Sequence, residues 1–381
     1  MNTVSKSKKI AIVYDWIDKW GGVERILLTL HKLFPQAVFY TSYTNLTQAS
    51  WAKQLPVKTS FIQSLPNFIR SNRILSLPFY PLAFESFDFT DFDLVISVTS
   101  SFAKAVITKP PTKHICYLLS PTRYFWGMEK DYLKSGWKRL MVSPFTTGWR
   151  QWDYIVAQRP DLIVSLSKTV ADRCQKYYRR ASTVVYPPFD VDYWQGFKQR
   201  RSELKDQRFF LVVSRLEPYK KIDLVINVFN QLVDQRLVVV GEGSQKRYLQ
   251  AMAGNNSRFT GQVTDQELAS LYSQARALII PQEEDFGYVS LEAQFFGCPV
   301  VAYAVGGTSE TVVDGKTGIL FAKQSPESLR NALARYHTLS YNLKIGTITH
   351  GKKNVERFRK EAFFRSFQNL VDGVLSGDLG D

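Results

Sequence analysis

The chain has 381 residues, more than one hydrophobic core usually supports, so its length predicts two domains. Its hydrophobic content of 45% and aromatic content of 14% exclude a disordered chain, and no apolar run is long enough to cross a membrane. The three cysteines and four histidines lie far apart without metal-ligand spacing, which favours a reduced, cytoplasmic protein without structural zinc.

The net charge of +15 lies almost wholly in the first half of the chain. Residues 1–187 contain 25 Lys and Arg against 12 Asp and Glu, whereas residues 188–381 contain 24 against 22. A basic surface attracts polyanions, namely nucleic acid, anionic lipid headgroups or a phosphate-bearing substrate, unless the charge serves only solubility.

Short apolar runs rich in β-branched residues alternate with helical patterns through both halves. The runs predicted to be buried parallel strands are 9–16, 93–99, 114–119, 161–167, 209–214, 236–243, 277–281 and 299–307. The predicted helices include 23–34, 168–178, 265–275 and 290–297. This alternation predicts an α/β fold with two Rossmann-like domains, each a parallel sheet covered by helices.

A glycine pair follows the first predicted strand. Gly21 and Gly22 open the first helix, but a lone glycine pair is weak evidence for a ligand site, since it can simply make a turn. The third glycine of the dinucleotide fingerprint is missing, which counts against an ordinary NAD site.

Residues 61–87 are rich in Phe, Leu and Pro, with Arg70 and Arg73 as nearly their only charged residues. One interpretation is an irregular helical subdomain packed on the first sheet. The other is a hydrophobic and basic surface that rests on a lipid bilayer.

A proline pair separates the two halves. Pro187 and Pro188 cannot continue a helix or a central strand, and the extended segment 184–194 is predicted to be a semi-rigid connector.

Two cationic residues follow the first strand of the second half. Arg215 and Lys220 lie between a buried strand and the next helix, so they are expected at the carboxyl edge of the sheet. Two cations there would neutralise a leaving nucleoside diphosphate.

The segment 281–292, PQEEDFGYVSLE, carries two carboxylates around a helix start. The first turn, at Tyr288 and Val289, would offer backbone N–H groups and a helix dipole to a diphosphate. Glu284 lies before the helix and Glu292 within it. Eight helical residues rise about 12 Å, so one carboxylate could serve each end of a sugar-diphosphate-ribose moiety.

Together these segments resemble glycosyltransferase family 4, the retaining "group 1" transferases of GT-B fold. Glu284 and Glu292 occupy the family's E-x7-E motif, with Gly287 after the first acid. Further matching segments are VVGEGS (239–244), FTGQVTDQELASLY (259–272) and GGTSETVVDGKTGIL (306–320).

The resemblance implies a fold and a role for each matching residue. Two Rossmann-like domains would face each other across a cleft: residues 1–187 for the acceptor, residues 188–358 for the nucleotide sugar, and a helix over 359–381 returning to the first domain. The implied catalytic residues are Glu284, Arg215 and Lys220, with the last two holding the diphosphate. The implied donor-binding residues are Glu292 on the ribose, the Phe286–Gly287 backbone on the sugar, Tyr288, Val289, Gly21, Gly22 and Gly241, and Gly261 and Val263 at the base.

The first half is similar to the O-antigen mannosyltransferase branch of that family in YDWIDKWGGVER, SSFAKAVITKPPTKHICYLLSPTRYFW and VVYPPFDVDYW. One departure stands out. The branch reads H-T-P-x-R-Y where this chain has Leu119-Ser120-Pro121-Thr122-Arg123-Tyr124, so the active-site histidine is replaced by Leu119. His114, five residues earlier, is not expected to replace it. Retaining enzymes of this fold are thought to use the leaving phosphate as base, so the loss is tolerable.

Two D-x-D pairs, Asp91/Asp93 and Asp190/Asp192, could hold a divalent metal beside a diphosphate in another transferase fold. Here one pair begins a strand and the other lies in the connector. No metal and no cofactor are expected, because Arg215 and Lys220 would supply the positive charge.

The sequence thus predicts a retaining hexosyltransferase, with GDP-mannose as the first guess for its donor. Its acceptor would be lipid-linked or a polysaccharide, in lipopolysaccharide or related envelope synthesis. It would be cytoplasmic and peripheral on the inner face of the membrane, bound to anionic lipid through the first domain. The alternatives are a weakly active donor-binding scaffold, motivated by Leu119, and a GT-B epimerase or phosphorylase. A nucleic-acid-binding protein is disfavoured because no such motif is present.

Overall fold

The computed structural model describes residues 8–127, 146–197 and 209–378, which divide into two compact units. The first unit runs to Pro188 and also takes in the chain from Glu361 onward, whereas the second unit runs from Phe189 to Lys360.

The described part of the first unit is built on a seven-stranded parallel sheet with the order β3-β2-β1-β4-β5-β6-β7. Its strands are β1 (Ile10–Tyr14), β2 (Val38–Thr41), β3 (Val57–Thr59), β4 (Leu94–Thr99), β5 (Lys113–Leu118), β6 (Leu162–Ser165) and β7 (Thr183–Val184). Strands β1 and β4 are buried throughout, as their continuous apolar runs predict for strands covered on both faces.

The helices that cover this sheet follow the apolar periodicity of the sequence. They are α1 (Gly22–Leu33), α2 (Asn67–Arg70), α3 (Tyr80–Glu85), α4 (Thr146–Val156) and α5 (Lys168–Tyr178). Helix α1 buries Ile26, Leu27 and Leu30 on one face. The Ser167 hydroxyl accepts from the Val170 N–H and so caps α5.

The second unit repeats this plan on a six-stranded parallel sheet of order β10-β9-β8-β11-β12-β13 in its described part. Its strands are β8 (Phe209–Val213), β9 (Arg236–Val240), β10 (Ser257–Gly261), β11 (Leu278–Ile280), β12 (Val300–Tyr303) and β13 (Gly318–Phe321).

The remaining helices of the chain lie after β7, and two of them begin at residues whose side chains cap the helix. The helices of the remaining chain are α6 (Val191–Gln195), α7 (Ile222–Phe229), α8 (Lys246–Met252), α9 (Asp265–Gln274), α10 (Tyr288–Phe295), α11 (Thr308–Thr311), α12 (Pro326–Gly346), α13 (Lys352–Glu356) and α14 (Lys360–Ser376). Thr264 and Glu267 form a reciprocal capping box at α9. Ser325 caps α12, which starts with Pro326.

The last helix, α14, runs within the first unit from Glu361 onward. Its Phe363 and Phe367 are buried, and their rings lie 6.0 and 5.8 Å from the ring of Tyr117 in β5.

The two sheets share one topological feature that matters for ligand binding. In each, the strand order reverses beside the first strand, between β1 and β4 in the first unit and between β8 and β11 in the second. Open α/β sheets bind ligands at the carboxyl ends of the strands at this switch point.

Candidate functional site

The switch point of the second unit is formed by two loops. The loop over 214–221 follows β8, and the loop over 281–287 follows β11 and leads into α10. Because β8 and β11 are hydrogen-bonded neighbours that run in the same direction, both loops leave the sheet at the same edge. Arg215, Lys220 and Glu284, which the sequence places in these loops, therefore lie at one end of the second sheet.

Lys220 and Glu284 form the central ion pair of this edge. Lys220 Nζ lies 2.6 Å from Glu284 Oε1, and both side chains are largely buried, with 12% and 17% of their surface exposed. Gln282 Nε2 donates to the same carboxylate oxygen at 2.5 Å. The carboxylate of Glu284 is thus oriented by a cation and an amide.

Arg215 is the exposed cation of this edge, and its position depends on two glycines. A Cβ on Gly241 would lie 1.9 Å from the Ser214 carbonyl oxygen, and one on Gly243 would lie 2.4 Å from that of Leu216. The two glycines therefore let the loop after β9 pack directly against the residues on both sides of Arg215. Gly241, predicted as a donor-binding residue, has at least this packing role.

Loop 281–287 is held by a glycine pair from the loop after β12. A Cβ on Gly306 would lie 2.3 Å from the Glu284 carbonyl oxygen, and one on Gly307 would lie 2.4 Å from Phe286 Cα. The Gly307 N–H donates to the Glu284 carbonyl at 2.7 Å. Only glycine allows this close backbone approach.

Helix α10 begins at this loop. Gly287 has a left-handed φ of 85° at its N-cap and provides no side chain to cap the helix. Tyr288 and Val289 form the first turn of α10, and a helix start, with its N–H groups and the positive end of its dipole, is a position that suits an anion. The Phe286 ring is buried against Tyr288 and Phe358, at ring-centre distances of 5.2 and 5.3 Å.

Glu292 lies inside α10 and is buried. Its Oε2 accepts a hydrogen bond from the Tyr272 hydroxyl of α9 at 2.9 Å. The sequence estimate of eight helical residues between Glu284 and Glu292 was wrong, because the helix starts only at Tyr288. The rise from there to Glu292 is about 6 Å.

Gly261 and Val263 lie at the end of β10. Gly261 has a left-handed φ of 73°. Val263 lines a groove of about 1090 Å³ formed with β9, β10 and α9, to which Arg258 and Glu267 also contribute. Neither Lys220 nor Glu284 lines this groove, so the groove lies apart from the central ion pair.

The first unit has its own arrangement at the carboxyl edge, where Gly21 and Gly22 precede and open α1. The buried Asp15 follows β1, and its carboxylate accepts from the Thr99 hydroxyl and from the N–H groups of Ser100, Phe102 and Ala103 at 2.7–2.9 Å. Burial raises the pKa of Asp15, and these hydrogen bonds oppose the rise. Asp15 thereby ties the end of β1 to the loop after β4.

A second buried carboxylate holds the loop that contains Leu119. Asp153 pairs with Lys104 at 2.7 Å, and both side chains are almost fully buried. Asp153 also accepts from the Thr122 hydroxyl at 2.8 Å, from Trp126 Nε1 at 2.7 Å and from the Tyr178 hydroxyl at 2.8 Å. This network, which we call the Asp153 network, ties Thr122 and Trp126 of the loop after β5 to α4.

His114 does not take the place of the missing histidine. It is fully buried in β5, where Nε2 lies 2.8 Å from Ser97 Oγ, and burial lowers its pKa to about 3. A histidine in this environment remains neutral and has a structural role.

Several side chains that hold these arrangements together had no signal in the sequence. Gln282, Tyr272 and Asp153 were not singled out, because their importance depends on contacts across the fold. The motif around Tyr272 was recognised, but nothing in its spacing indicated a hydrogen bond to Glu292.

Asp93 of the first D-x-D pair and both aspartates of the second bind cations of the protein itself. Asp93 accepts from Lys8 Nζ at 2.9 Å and from the Lys9 N–H at 2.8 Å. Lys360 Nζ lies 3.3 Å from Asp190 and 2.6 Å from Asp192. Over residues 8–127, 146–197 and 209–378, no group of three or more His, Cys, Asp or Glu is placed to hold a metal ion. Within those same ranges, no helix has both the length and the apolarity required to cross a membrane.

Comparison with known proteins agrees with the geometry of the second unit. Residues 195–345 match the family described as Glycosyl transferases group 1. The second unit contains a glycosyl transferases group 1 domain. The group 1 domain spans the loops that carry Arg215, Lys220 and Glu284, as well as α9 and α10.

One curated relative of the group 1 domain is the glycogen synthase of Xanthomonas campestris pv. campestris, which is 34% identical over 164 residues. The match covers 39% of this chain and 34% of that protein, so the chain spans about a third of its relative's length. The mannosyltransferase branch remains a prediction.

Two solved structures cover nearly the whole chain. Sucrose-phosphate synthase from Thermosynechococcus elongatus has a TM-score of 0.74 at 17% identity, over 97% of this chain and all of that one. Anabaena HepE in complex with UDP-glucose has a TM-score of 0.69 at 18% identity, over 96% and 99%. At this identity the likeness shows the fold alone, and it confirms the predicted class: α/β, GT-B, with two Rossmann-like domains.

Proposed function

We propose that this protein is a retaining glycosyltransferase that moves a hexose from a nucleotide sugar onto an envelope glycan or its lipid-linked precursor. The observation that carries the proposal is the Lys220–Glu284 pair, placed by two neighbouring parallel strands beside the start of α10. A diphosphate needs cations and backbone donors, and a sugar needs a carboxylate that accepts from its hydroxyls. This edge of the sheet provides all three.

The residues of the second unit divide the work of binding the donor. Arg215 and Lys220 neutralise the diphosphate, and the first turn of α10 donates to it. Glu292, already oriented by Tyr272, accepts from the ribose hydroxyls. Glu284 and the Phe286–Gly287 backbone face the transferred sugar.

In the reaction, the bond between the anomeric carbon and the diphosphate oxygen breaks, and the electron pair leaves with the diphosphate. The acceptor hydroxyl oxygen bonds to the anomeric carbon on the same face, and its proton passes to the leaving phosphate oxygen. Arg215 and Lys220 stabilise the charge that develops on that phosphate. The scheme uses no metal and no side-chain base, which suits a chain with Leu119 in place of histidine.

GDP-mannose is the first donor to test, on the resemblance of the first half to mannosyltransferases. A UDP-sugar is the second, because HepE has been solved with UDP-glucose. The acceptor is proposed to be lipid-linked and presented at the inner face of an anionic membrane, since the first half holds nearly all of the net charge.

The donor is identified by thermal shift of the purified chain with GDP-, UDP- and ADP-sugars, because a ligand that binds only the folded state raises the Tm. Transfer is then measured with that donor for the parent, Glu284→Gln and, as a matched control, Glu283→Gln. Losing a charge-assisted hydrogen bond costs about 1.5–3 kcal/mol, so kcat/KM should fall about 10- to 150-fold in Glu284→Gln alone.

Three results would contradict the proposal. If Glu284→Gln transfers the sugar with the kcat/KM of the parent, the assignment of Glu284 to the donor site is wrong. Donor binding without transfer to any glycan or lipid-linked acceptor indicates the scaffold alternative. Conversion of the donor without an acceptor, or phosphorolysis, indicates the epimerase or phosphorylase alternative.

A further inference from the structure

The surface of residues 61–82 in the first unit exposes an unusual number of large apolar side chains. Five residues within this short segment are exposed, with Phe68 at 68% and Leu82 at 62% of their surface: Phe61, Phe68, Leu75, Phe79 and Leu82. We call this set the 61–82 face. Single exposed apolar residues are ordinary on a protein surface, but a concentration of them marks a binding surface.

Core packing explains only the opposite side of the same segment. Helix α3 buries Tyr80, Ala83 and Phe84 in the hydrophobic core of the first unit. Leu82 and Phe79, three residues apart, point away from that face. A helix that needed only to cover the sheet would carry polar residues there.

Hydrogen bonds hold the segment in one compact arrangement. Ser76 Oγ donates to the Ile69 carbonyl at 2.7 Å, which brings the stretch around Leu75 beside the stretch around Phe68. Arg70 donates to the Gln63 carbonyl at 2.8 Å and so ties α2 to the turn that contains Phe61. The 61–82 face is therefore built on a fixed backbone.

The charge of the surrounding chain selects the kind of partner. Residues 25–84 contain no Asp or Glu but six Lys and Arg. Lys53 and Lys58, just before the face, are exposed. Arg73 is not available to a ligand, because it pairs with Asp18 and stacks 3.8 Å from the centre of the Trp16 ring.

We propose that the 61–82 face docks on an anionic lipid bilayer, with its Phe and Leu side chains at the acyl boundary and Lys53 and Lys58, which precede the face along the chain, at the headgroups. Amphipathic surfaces of this composition bind membranes by apolar burial together with attraction to anionic lipid. A second copy of the chain is a poorer partner, because it would bring the same positive charge. The proposal rests on the proposed function only in that a lipid-linked acceptor would be presented at the same membrane.

The test is co-sedimentation of the full chain with vesicles of phosphatidylcholine and with vesicles that also contain phosphatidylglycerol. The chain should bind the anionic vesicles and be released by high salt. Phe68→Ser/Leu82→Ser should lower the partition coefficient at least tenfold. The matched control is Tyr248→Ser/Tyr341→Ser in the second unit, where the replaced side chains are 56% and 76% exposed and vesicle binding should not change.

Donor binding separates this proposal from the proposed function. Both double variants should keep the parent thermal shift with the nucleotide sugar. If the parent does not bind anionic vesicles, or if the two double variants lose binding equally, the docking proposal is wrong while the donor site stands. A parent dimer that Phe68→Ser/Leu82→Ser converts to monomer in sedimentation velocity would assign the face to a second copy instead.

Discussion

Replacing Lys104 by methionine should destabilise the first unit by about 3 kcal/mol. The change removes the cation from the Asp153 network and leaves a carboxylate that is completely buried. Removing one partner of a buried ion pair typically costs 3–5 kcal/mol, because the remaining charge stays out of water. The lower end applies here, since Thr122, Trp126 and Tyr178 still donate to Asp153.

For a unit of this size, each kcal/mol moves the Tm by about 2–4 °C, so the loss corresponds to about 6–12 °C. The measurement is urea and thermal unfolding of the parent, Lys104→Met, Asp153→Asn and the double variant. The double variant should recover most of the loss, because it leaves no isolated charge. Lys109→Met, which removes an exposed lysine nearby, should stay within about 0.5 kcal/mol of the parent.

A Lys104→Met protein as stable as the parent would refute this reasoning. So would a double variant whose destabilisation equals the sum of the two single changes, because the cycle would then show no coupling between the two side chains.

Three further predictions concern other parts of the fold. Tyr272→Phe should weaken donor binding about 10-fold or more by removing the hydrogen bond that orients Glu292, and calorimetric titration with the donor would detect it; unchanged affinity counts against the ribose role. Burial lowers the pKa of His114 to about 3 in the folded chain, against 6.5 in the unfolded chain. The contribution of His114 to folding stability is therefore complete above pH 6.5 and is lost as the pH falls toward 3, because the unfolded chain takes up the proton first. From pH 7 to pH 5 the parent should lose about 2 kcal/mol that His114→Gln does not lose, and equal slopes of stability against pH would refute the assignment. Gly307→Ala should lower the free energy of unfolding by about 1–3 kcal/mol and abolish the donor-induced thermal shift, because its Cβ would lie 2.4 Å from main-chain atoms of the loop before α10. The control is Gly148→Ala, whose Cβ would have no atoms within 4 Å and which should be neutral or slightly stabilising. Equal effects of the two substitutions would exclude the steric argument.

Much of the fold follows from runs of apolar residues. The central strands β1, β4, β5, β8 and β11 were predicted because they are largely buried and so form nearly continuous apolar runs rich in β-branched residues. Strands missed by the prediction lie mostly toward the sheet edges and are short: β2, β3, β7, β10 and β13. Strands β2, β3, β7 and β13 have only two to four residues, too few to establish a period, and β10 (Ser257–Gly261) has a single large apolar residue.

The candidate site likewise contains residues that the sequence could place and residues that it could not. Lys220 and Glu284 could be placed together because parallel neighbouring strands bring their loops to one edge. Tyr272 and Gln282 could not, since their roles come from contacts between elements that sequence spacing does not specify. The basic excess of the first half was visible, but only the structure shows that the 61–82 face is apolar on its outward side.

The placement of α14 makes the first unit discontinuous along the chain. Its sheet is complete once β7 has been synthesised, yet Tyr117 obtains its partners Phe363 and Phe367 only after the whole second unit has emerged. Domains generally fold as units during synthesis, from the N-terminus onward. The second unit can therefore finish folding while the core of the first unit still lacks Phe363 and Phe367, and the first unit is completed only when α14 has been synthesised.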